Sequence, residues 1–112
     1  MSNNKRNYTD HNIDGNKIIH EFMGCESNSI KKYDKNWGSL MKVVDRISSM
    51  NLNHNGSIFS VDVTIGYGWC SIRDEYEQGY IEIYEEGLDG KTKYAVWLSV
   101  ISFILNLDKI TT

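Results

Sequence analysis

A segment without any charged residue, Tyr94 to Leu107, constrains the fold of this chain more than any other. Its fourteen residues are too few to cross a bilayer, because a spanning helix needs about 20. A helix that is apolar on every side must be covered on several sides. We therefore predict a last helix from about Lys91 to Leu107, with one side on a sheet and the others against helices of this chain or a second copy.

Residues from Ser57 onward alternate with a period of two, which predicts a sheet. Along the first strand, the side chains expected on the buried face are Phe59, Val61, Val63 and Ile65. Three strands are expected, at about 57–65, 69–73 and 80–85. The links between them are short, which favours an antiparallel meander. The stretch before the sheet, 51–56, is predicted to be a loop that turns at Asn55-Gly56.

Two amphipathic helices precede the sheet. The first is predicted to begin near Asp14, with Asn16 as a second possible cap, and to stop at Gly24. The second is predicted to have Asp34 as its N-cap. Its apolar face recurs at steps of three and four and comprises Tyr33, Trp37, Leu40, Met41, Val44, Ile47 and Met50. The expected fold is α+β, in the order α-α-β-β-β-α, with a small antiparallel three-stranded sheet packed against helices.

A chain of 112 residues is most simply one domain. Residues 1–12 are polar and rich in Asn, so we expect a flexible N-terminal arm followed by a single α+β domain at 13–112. Cys25 and Cys70 have no CxxC spacing and are too few for a disulfide framework, so both are expected to be small core residues. No signal peptide is recognisable, and a cytoplasmic protein is expected.

Two segments carry a family resemblance: the run from Lys17 to Gly24, which ends in Met-Gly, and the Trp-bearing helix from Tyr33 to Ile47. Together with Cys70-Ser71-Ile72 and Tyr94-Ala95-Val96, they resemble the small phage and prophage proteins of the phage ABA-sandwich type. The bend from Gly66 to Trp69 and the fully apolar last helix are not part of that pattern. The resemblance implies a fold and a phage or prophage setting, and it implies no reaction.

The Gly-rich turn before the last helix is similar to a phosphate-binding loop only in part. Gly87 and Gly90 are separated by two residues, where a P-loop needs four, so we interpret the segment as a plain turn. A weaker possibility stays open: free amides at the helix start, with Lys91 and Lys93 nearby, would suit one phosphate. The carboxylate of Asp89 argues against this unless it caps the helix.

Other motifs of known chemistry are absent from the sequence. His11, His20 and His54 do not fall at metal-ligand spacings, so neither a metal nor a cofactor is expected. The acidic residues of the sheet and its turns are interpreted as a solvated face, with a hydrolase using them as the alternative. They also disfavour a nucleic-acid polymer as the partner, as does the formal net charge of −3.

Aromatic and basic residues supply the candidate ligand site. Tyr67 and Trp69 lie beside glycines, which permit a ligand to approach the backbone closely. An aromatic ring with one or two cations is what a nucleotide-like molecule needs, because the ring stacks on the base and the cations meet the phosphates. The candidate ligand-binding residues are Tyr67, Trp69, Arg73, Tyr33, Lys42, Arg46 and Lys91.

Two hypotheses of function follow. The first is a non-enzymatic, phage-encoded protein that sequesters a small anionic, nucleotide-derived host immune signal. The second is a protein-binding or structural accessory factor that docks a partner through its apolar last helix. Self-association through that helix is expected and membrane binding is not. The predicted oligomer contact comprises Tyr94, Trp97, Leu98, Ile101, Ile104 and Leu105.

Overall fold

The computed structural model describes residues 12–24, 29–75 and 79–110. Its elements are helices α1 (Asn12–Phe22) and α2 (Trp37–Ser48), strands β1 (Asn51–His54), β2 (Ser57–Gly66), β3 (Trp69–Asp74) and β4 (Glu82–Glu86), a 3₁₀ turn (Leu88–Gly90), helix α3 (Thr92–Leu105) and the short helix α4 (Leu107–Ile110). The α+β class and the antiparallel sheet packed against helices are therefore confirmed. The predicted arm, apart from Asn12, lies outside the described residues, as does Cys25.

The sheet has four strands rather than the predicted three, in the order β1-β2-β3-β4. The additional strand, β1, comes from the stretch that was predicted to be a loop. It pairs with β2 through Leu52↔Phe59 and His54↔Ser57. Asn55 and Gly56 join the two strands with φ angles of 53° and 91°, as a two-residue hairpin turn requires. Because only Leu52 of this strand is buried, its sequence shows no alternation.

The alternation predicted along β2 is confirmed by the burial of its side chains. Phe59 and Val61 are buried against the helices and Val63 and Ile65 are partly buried there, whereas Asp62 and Thr64 are exposed on the opposite face. Further buried apolar side chains are Cys70 and Ile72 on β3 and Ile81 just before β4. One face of the sheet therefore supplies the floor of the core, and the other carries polar and aromatic side chains.

The helix ends differ from the predicted ones at the N-terminal side. Helix α1 begins two residues before Asp14, and Asn16 is a buried residue inside the helix rather than a cap. The predicted stop is confirmed, since Gly24 has a φ of 69° and its N–H donates to the carbonyl of Glu21. The N-cap of α2 is Asn36, whose side chain accepts from the N–H of Ser39 at 2.9 Å, and the predicted cap Asp34 is not used.

Helix α3 is covered by the rest of its own chain. It packs on β3 and β4 with one side, and α1, α2 and α4 contact its other sides. A glycine allows α1 to lie close to α3. A Cβ at Gly15 would overlap the Trp97 ring and lie 2.8 Å from the Cδ1 of Ile101. A second copy is therefore not needed to bury this helix. None of the helices in the described part of the chain has the length and apolarity to span a membrane.

A polar junction joins α1, α3 and the turn before α2. The buried side chain of Asn16 donates to the Oδ1 of Asp34 at 2.8 Å and accepts from the backbone N–H of Asp34 at 3.3 Å. Its Oδ1 also accepts from the indole N–H of Trp97 at 2.9 Å. This junction explains why Asp34 does not cap α2: its carboxylate is turned toward α1.

Candidate functional site

The bend between β2 and β3 lies against the turn that leads into α3. The N–H of Gly87 donates to the carbonyl of Gly68 at 2.9 Å, and the N–H of Gly68 donates to the hydroxyl of Thr92 at 2.7 Å. Tyr67, which is 88% exposed, lies beside Gly90, where an added Cβ would be 3.1 Å from the phenol oxygen. The fold thus brings together the two Gly-rich segments, which are separate in the sequence.

An open groove of about 680 Å³ begins at this point and runs between the start of α3 and the start of α2. Its lining residues are Asp34, Lys35, Trp37, Lys91, Thr92, Lys93 and Tyr94. Of the candidate ligand-binding residues, only Lys91 lies in this groove. Tyr94, a candidate for the oligomer contact, is also one of its walls, with its ring stacked on Trp97 at 5.8 Å between centroids.

Trp37 forms the aromatic wall of the groove, although its spacing placed it on the core face of α2. Its side chain is 41% exposed, while Leu40, one turn further on, is fully buried. Trp37 is the first residue of α2, and helical side chains lean toward the N-terminus, so its ring extends past the end of the core. The periodicity of the sequence could not reveal this, because it does not show where the covering elements stop.

The groove is electropositive for two reasons. Lys35, Lys91 and Lys93 line it, and the Nζ of Lys93 donates across it to the carbonyl of Lys35 at 3.1 Å. The second reason is the start of α3, whose first ladder bond runs from the N–H of Ala95 to the carbonyl of Lys91. The amides before Ala95 are not used by the helical ladder, and Lys91 supplies no side-chain cap. The helix therefore presents the positive end of its dipole there.

The one carboxylate that lines the groove is turned toward the core. Asp34 accepts from Asn16 and lies 3.9 Å from the ammonium of Lys35, and only 7% of its side chain is exposed. Asp89, whose carboxylate argued against phosphate binding in the sequence, is not among the lining residues. The charge that a ligand would meet is therefore set mainly by the lysines.

Three other candidate ligand-binding residues lie away from the groove. Tyr33 is 2% exposed and belongs to the core, so its ring has no surface to offer a ligand, which corrects its assignment. Lys42 and Arg46 are on the exposed side of α2. The guanidinium of Arg46 lies 5.1 Å from the centre of the Phe22 ring, a cation–π contact that joins α2 to α1. These residues therefore do not form one site with Lys91.

Trp69 and Arg73 are on the outer face of the sheet, beside a depression of about 270 Å³. The Trp69 ring stacks on Tyr84 with 5.9 Å between centroids, and the absence of a Cβ at Gly66 leaves room for it. Arg73 stands between Asp62 and Glu82 on the neighbouring strands. With carboxylates on both sides, this depression suits an anion less well than the groove does.

Of the acidic residues in the described part of the chain, Asp62, Asp74 and Glu75 line the depression beside Arg73. Asp74 is buried on the inner face and accepts from the N–H of Ile81 at 3.3 Å, whereas Asp62 and Glu82 are exposed on the outer face. The Glu86 carboxylate accepts from Tyr84 at 2.7 Å, and this hydrogen bond raises the pKa of the Tyr84 hydroxyl. Among the described residues, no group of three or more His, Cys, Asp or Glu side chains is arranged to hold a metal ion.

Half of the residues predicted to contact a second copy are buried within the chain itself. Trp97, Leu98 and Ile101 are enclosed by the sheet and the other helices, which corrects their assignment to an oligomer interface. Ile104 is partly exposed, and Leu105 is 53% exposed near the end of α3. Self-association stays a prediction, and the surface that the helix leaves for it is small.

Cys70 is a core residue, as its sequence context predicted, and its thiol is expected to be unreactive in the folded protein. Burial raises its pKa above the usual 9.0, although the hydrogen bond with Ser99 opposes this. The pKa of the Cys70 thiol is therefore higher in the folded protein than in the unfolded chain. The contribution of the protonated thiol to the free energy of unfolding is complete below the unfolded-state pKa and declines as the pH rises through and above that value.

In a Cys25→Ser variant, we expect a thiol reagent to react with Cys70 only as fast as the protein unfolds. Rapid labelling at neutral pH without denaturant would contradict this.

The chain shows no detectable similarity to a family model, to a curated protein or to a solved structure.

Proposed function

We propose that this protein binds a small anionic, nucleotide-like molecule in the groove at the start of α3 without transforming it. The observation that carries the proposal is the exposed ring of Trp37 in a groove that also holds Lys35, Lys91 and Lys93. Its volume of about 680 Å³ lies in the range of about 300–1,000 Å³ that is usual for small-molecule sites. The proposed ligand site is therefore this groove, and not the bend around Trp69 that was the candidate site in the sequence.

The chemistry of the groove divides the ligand into two parts. A base or another flat ring would stack on Trp37, with Tyr94 at the other wall, since such stacking depends on the π-face and not on a base sequence. Phosphate oxygens would accept from Lys91 and from the free amides at the start of α3. Lys35 and Lys93 would neutralise a second phosphate or a carboxylate.

A binding role fits the groove better than catalysis. Its described lining contains lysines, aromatic residues, Thr92 and the inward-turned Asp34, and it contains no His, Cys or Glu. These are groups that hold a charged ligand and exclude water, and none of them is paired with a general base. The alternative role, docking a partner through the last helix, is less favoured because α3 is buried by its own chain.

The biological setting that we propose follows from the resemblance to phage ABA-sandwich proteins. A compact phage-encoded binder in the host cytoplasm would lower the free concentration of a nucleotide-derived immune signal by sequestering it. Occupation of the groove is the part of this proposal that the residues support.

The first test measures the melting temperature of the protein with a panel of mono-, di- and cyclic nucleotides and ADP-ribose derivatives. A ligand at one hundred times its Kd stabilises a protein by about 2.7 kcal/mol, so a specific ligand must raise the midpoint clearly. We expect at least one phosphorylated member to do so. A panel that leaves the midpoint unchanged would contradict the proposed function.

Charge reversal in the groove tests where the ligand binds. We expect Lys91→Glu/Lys93→Glu to weaken binding by about 100-fold or more, because each charge-assisted hydrogen bond contributes about 1.5–3 kcal/mol. The matched control is Lys17→Glu/Lys42→Glu, which makes the same change in net charge at exposed residues of α1 and α2. Equal losses in the two variants would mean that only the overall charge attracts the ligand.

The aromatic wall is tested with Trp37→Ala, for which we expect about a tenfold or greater loss of affinity, since stacking contributes about 1–3 kcal/mol per base. Trp69→Ala is the control, because that ring stacks on Tyr84 on the outer face of the sheet. Ligand titration should also quench tryptophan fluorescence in the wild type, and Trp37→Phe should abolish the quenching. If Trp69→Ala is the variant that loses binding, the ligand occupies the outer face.

A further inference from the structure

Strand β4 is an edge of the sheet. It pairs with β3 on one side, from Arg73↔Glu82 to Trp69↔Glu86, and in the sheet order no described strand follows it. An edge strand leaves alternate N–H and C=O groups unpaired, and these groups can accept the backbone of another chain. At five residues, β4 offers an edge about 17 Å long.

A second cavity, of about 370 Å³, follows this edge between β4 and the end of the helical layer. The strand side of the cavity runs from Tyr80 to Glu85, and the helical side consists of Ser102, Asn106, Lys109 and Ile110. The side chain of Asn106 donates to the carbonyl of Ser102 at 2.8 Å, so this wall is part of the ordered end of α3. An edge strand beside a helix-walled groove is the arrangement in which domains add an extended peptide to a sheet.

The charge along β4 selects the kind of chain that can be added. Of the three carboxylates in the strand, those of Glu82 and Glu86 are on the outer face, and that of Glu85 is on the groove side. Ile83 is partly buried between them and faces the groove side, while Tyr84 is exposed on the outer face. Arg73 stands opposite Glu82, so one of the three charges is partly balanced. An incoming strand with basic residues on its outer side and small apolar residues on its inner side would complement this edge.

A second copy of β4 fits this edge poorly. Antiparallel pairing of two such strands about Tyr84 would place Glu82 of one copy directly opposite Glu86 of the other. Like charges at opposed positions destabilise a strand pair. Acidic residues on an edge strand also deter aggregation, and that role alone would explain the glutamates of β4. It would not explain the groove that runs beside the strand.

We propose that β4 binds an extended basic segment of a partner protein, which adds to the sheet as a fifth strand with its apolar side chains in the groove beside Ile83. This surface is separate from the proposed nucleotide groove, since the two cavities share no lining residue. The protein would then have one site for a small anion and another for a basic peptide.

The test uses the full chain with two labelled peptides of alternating sequence, one of valine and lysine and one of valine and glutamate, with fluorescence anisotropy as the readout. We expect the basic peptide to bind about tenfold or more tightly than the acidic one. A basic peptide with N-methyl groups on the alternate amides that face the strand should bind at least about tenfold more weakly, because it cannot complete the ladder. Equal binding of the methylated peptide would overturn strand addition, and so would equal binding of the acidic peptide.

The location is tested by Glu82→Lys/Glu86→Lys, which should reverse the preference toward the acidic peptide. Glu82→Gln/Glu86→Gln should abolish the preference without reversing it, and it serves if the lysine variant fails to fold. The matched control is Glu21→Lys/Asp45→Lys on the exposed sides of α1 and α2. A control that changes the preference as much as the β4 variants do would overturn the assignment. So would light scattering that shows β4-dependent pairing of two copies.

Discussion

Alanine at position 87 is expected to lower the free energy of unfolding by about 3 kcal/mol or more and to abolish ligand binding in the groove. The added Cβ would overlap the carbonyl oxygen of Lys91 and lie 2.7 Å from its carbonyl carbon. Both atoms belong to the backbone, so no rotamer change can relieve the overlap. The same oxygen accepts the first hydrogen bond of α3, from Ala95, and the N–H of Gly87 holds the β2–β3 bend through Gly68. Opening this turn would therefore disturb the start of the helix.

Chemical denaturation and a thermal scan of Gly87→Ala measure the effect, which should lower Tm by roughly 10–15 °C for a chain of this size. Gly38→Ala is the control, because the nearest atom to its added Cβ is the Oδ1 of Asn36 at 3.2 Å and the residue lies in the first turn of α2. That variant should stay within about 1 kcal/mol of the wild type. If Gly87→Ala unfolds at the wild-type midpoint and still binds ligand, the packing of this turn is not as described.

The predictable part of the fold is the part in which one face of an element packs against the core over most of its length. Strand β2 shows this, because Phe59 and Val61 alternate with exposed residues and the period appears directly in the sequence. Strand β1 has only Leu52 buried and is held by its pairing with β2, so local propensity gave no signal. The Asn55-Gly56 pair was a sufficient hairpin signal, and it was interpreted only as a loop turn.

The proposed groove combines a ring with cations, as the sequence led us to expect, but most of its residues differ from the predicted ones. The Gly-rich turn before the last helix was interpreted as a plain turn, with one phosphate at Lys91 and the helix start as the weaker possibility, and a ring with cations was expected around Tyr67 and Trp69. The ring is that of Trp37 rather than Trp69, because helix periodicity assigns a face but does not show where α2 extends beyond the layer that covers it. Tyr33 illustrates the converse: it precedes α2 and is nevertheless enclosed. Contacts between distant segments decide both outcomes.

The apolar sequence of α3 correctly predicted that this helix must be covered on several sides. The cover could come from helices of the same chain or from a second copy, and self-association was expected. The choice depends on how closely α1 approaches, and that approach depends on Gly15, which leaves room for Trp97 and Ile101. A glycine inside an amphipathic helix was the available signal, since it costs helix stability unless something packs against it.

Replacing Asn16 with alanine is expected to destabilise the protein by about 3 kcal/mol, although the residue contributes little apolar surface. The variant leaves the indole N–H of Trp97 without its acceptor in a fully buried position, and it removes both hydrogen bonds to Asp34. A buried donor without an acceptor loses the hydration that it had in the unfolded chain, which is why the loss exceeds the value of an average hydrogen bond. Urea denaturation at neutral pH gives the measurement.

A double-mutant cycle separates this polar effect from packing. Trp97→Phe removes the donor as well as some volume, so Asn16→Ala/Trp97→Phe should cost less than the sum of the single changes, by about 1–2 kcal/mol. Strictly additive changes would mean that the hydrogen bond between the two side chains does not contribute to stability.

Asn16→Asp adds a further check, because it keeps the acceptor for Trp97 but places a second carboxylate against Asp34. That variant should regain stability as the pH falls and the carboxylate pair takes up a proton, whereas Asn16→Ala should not.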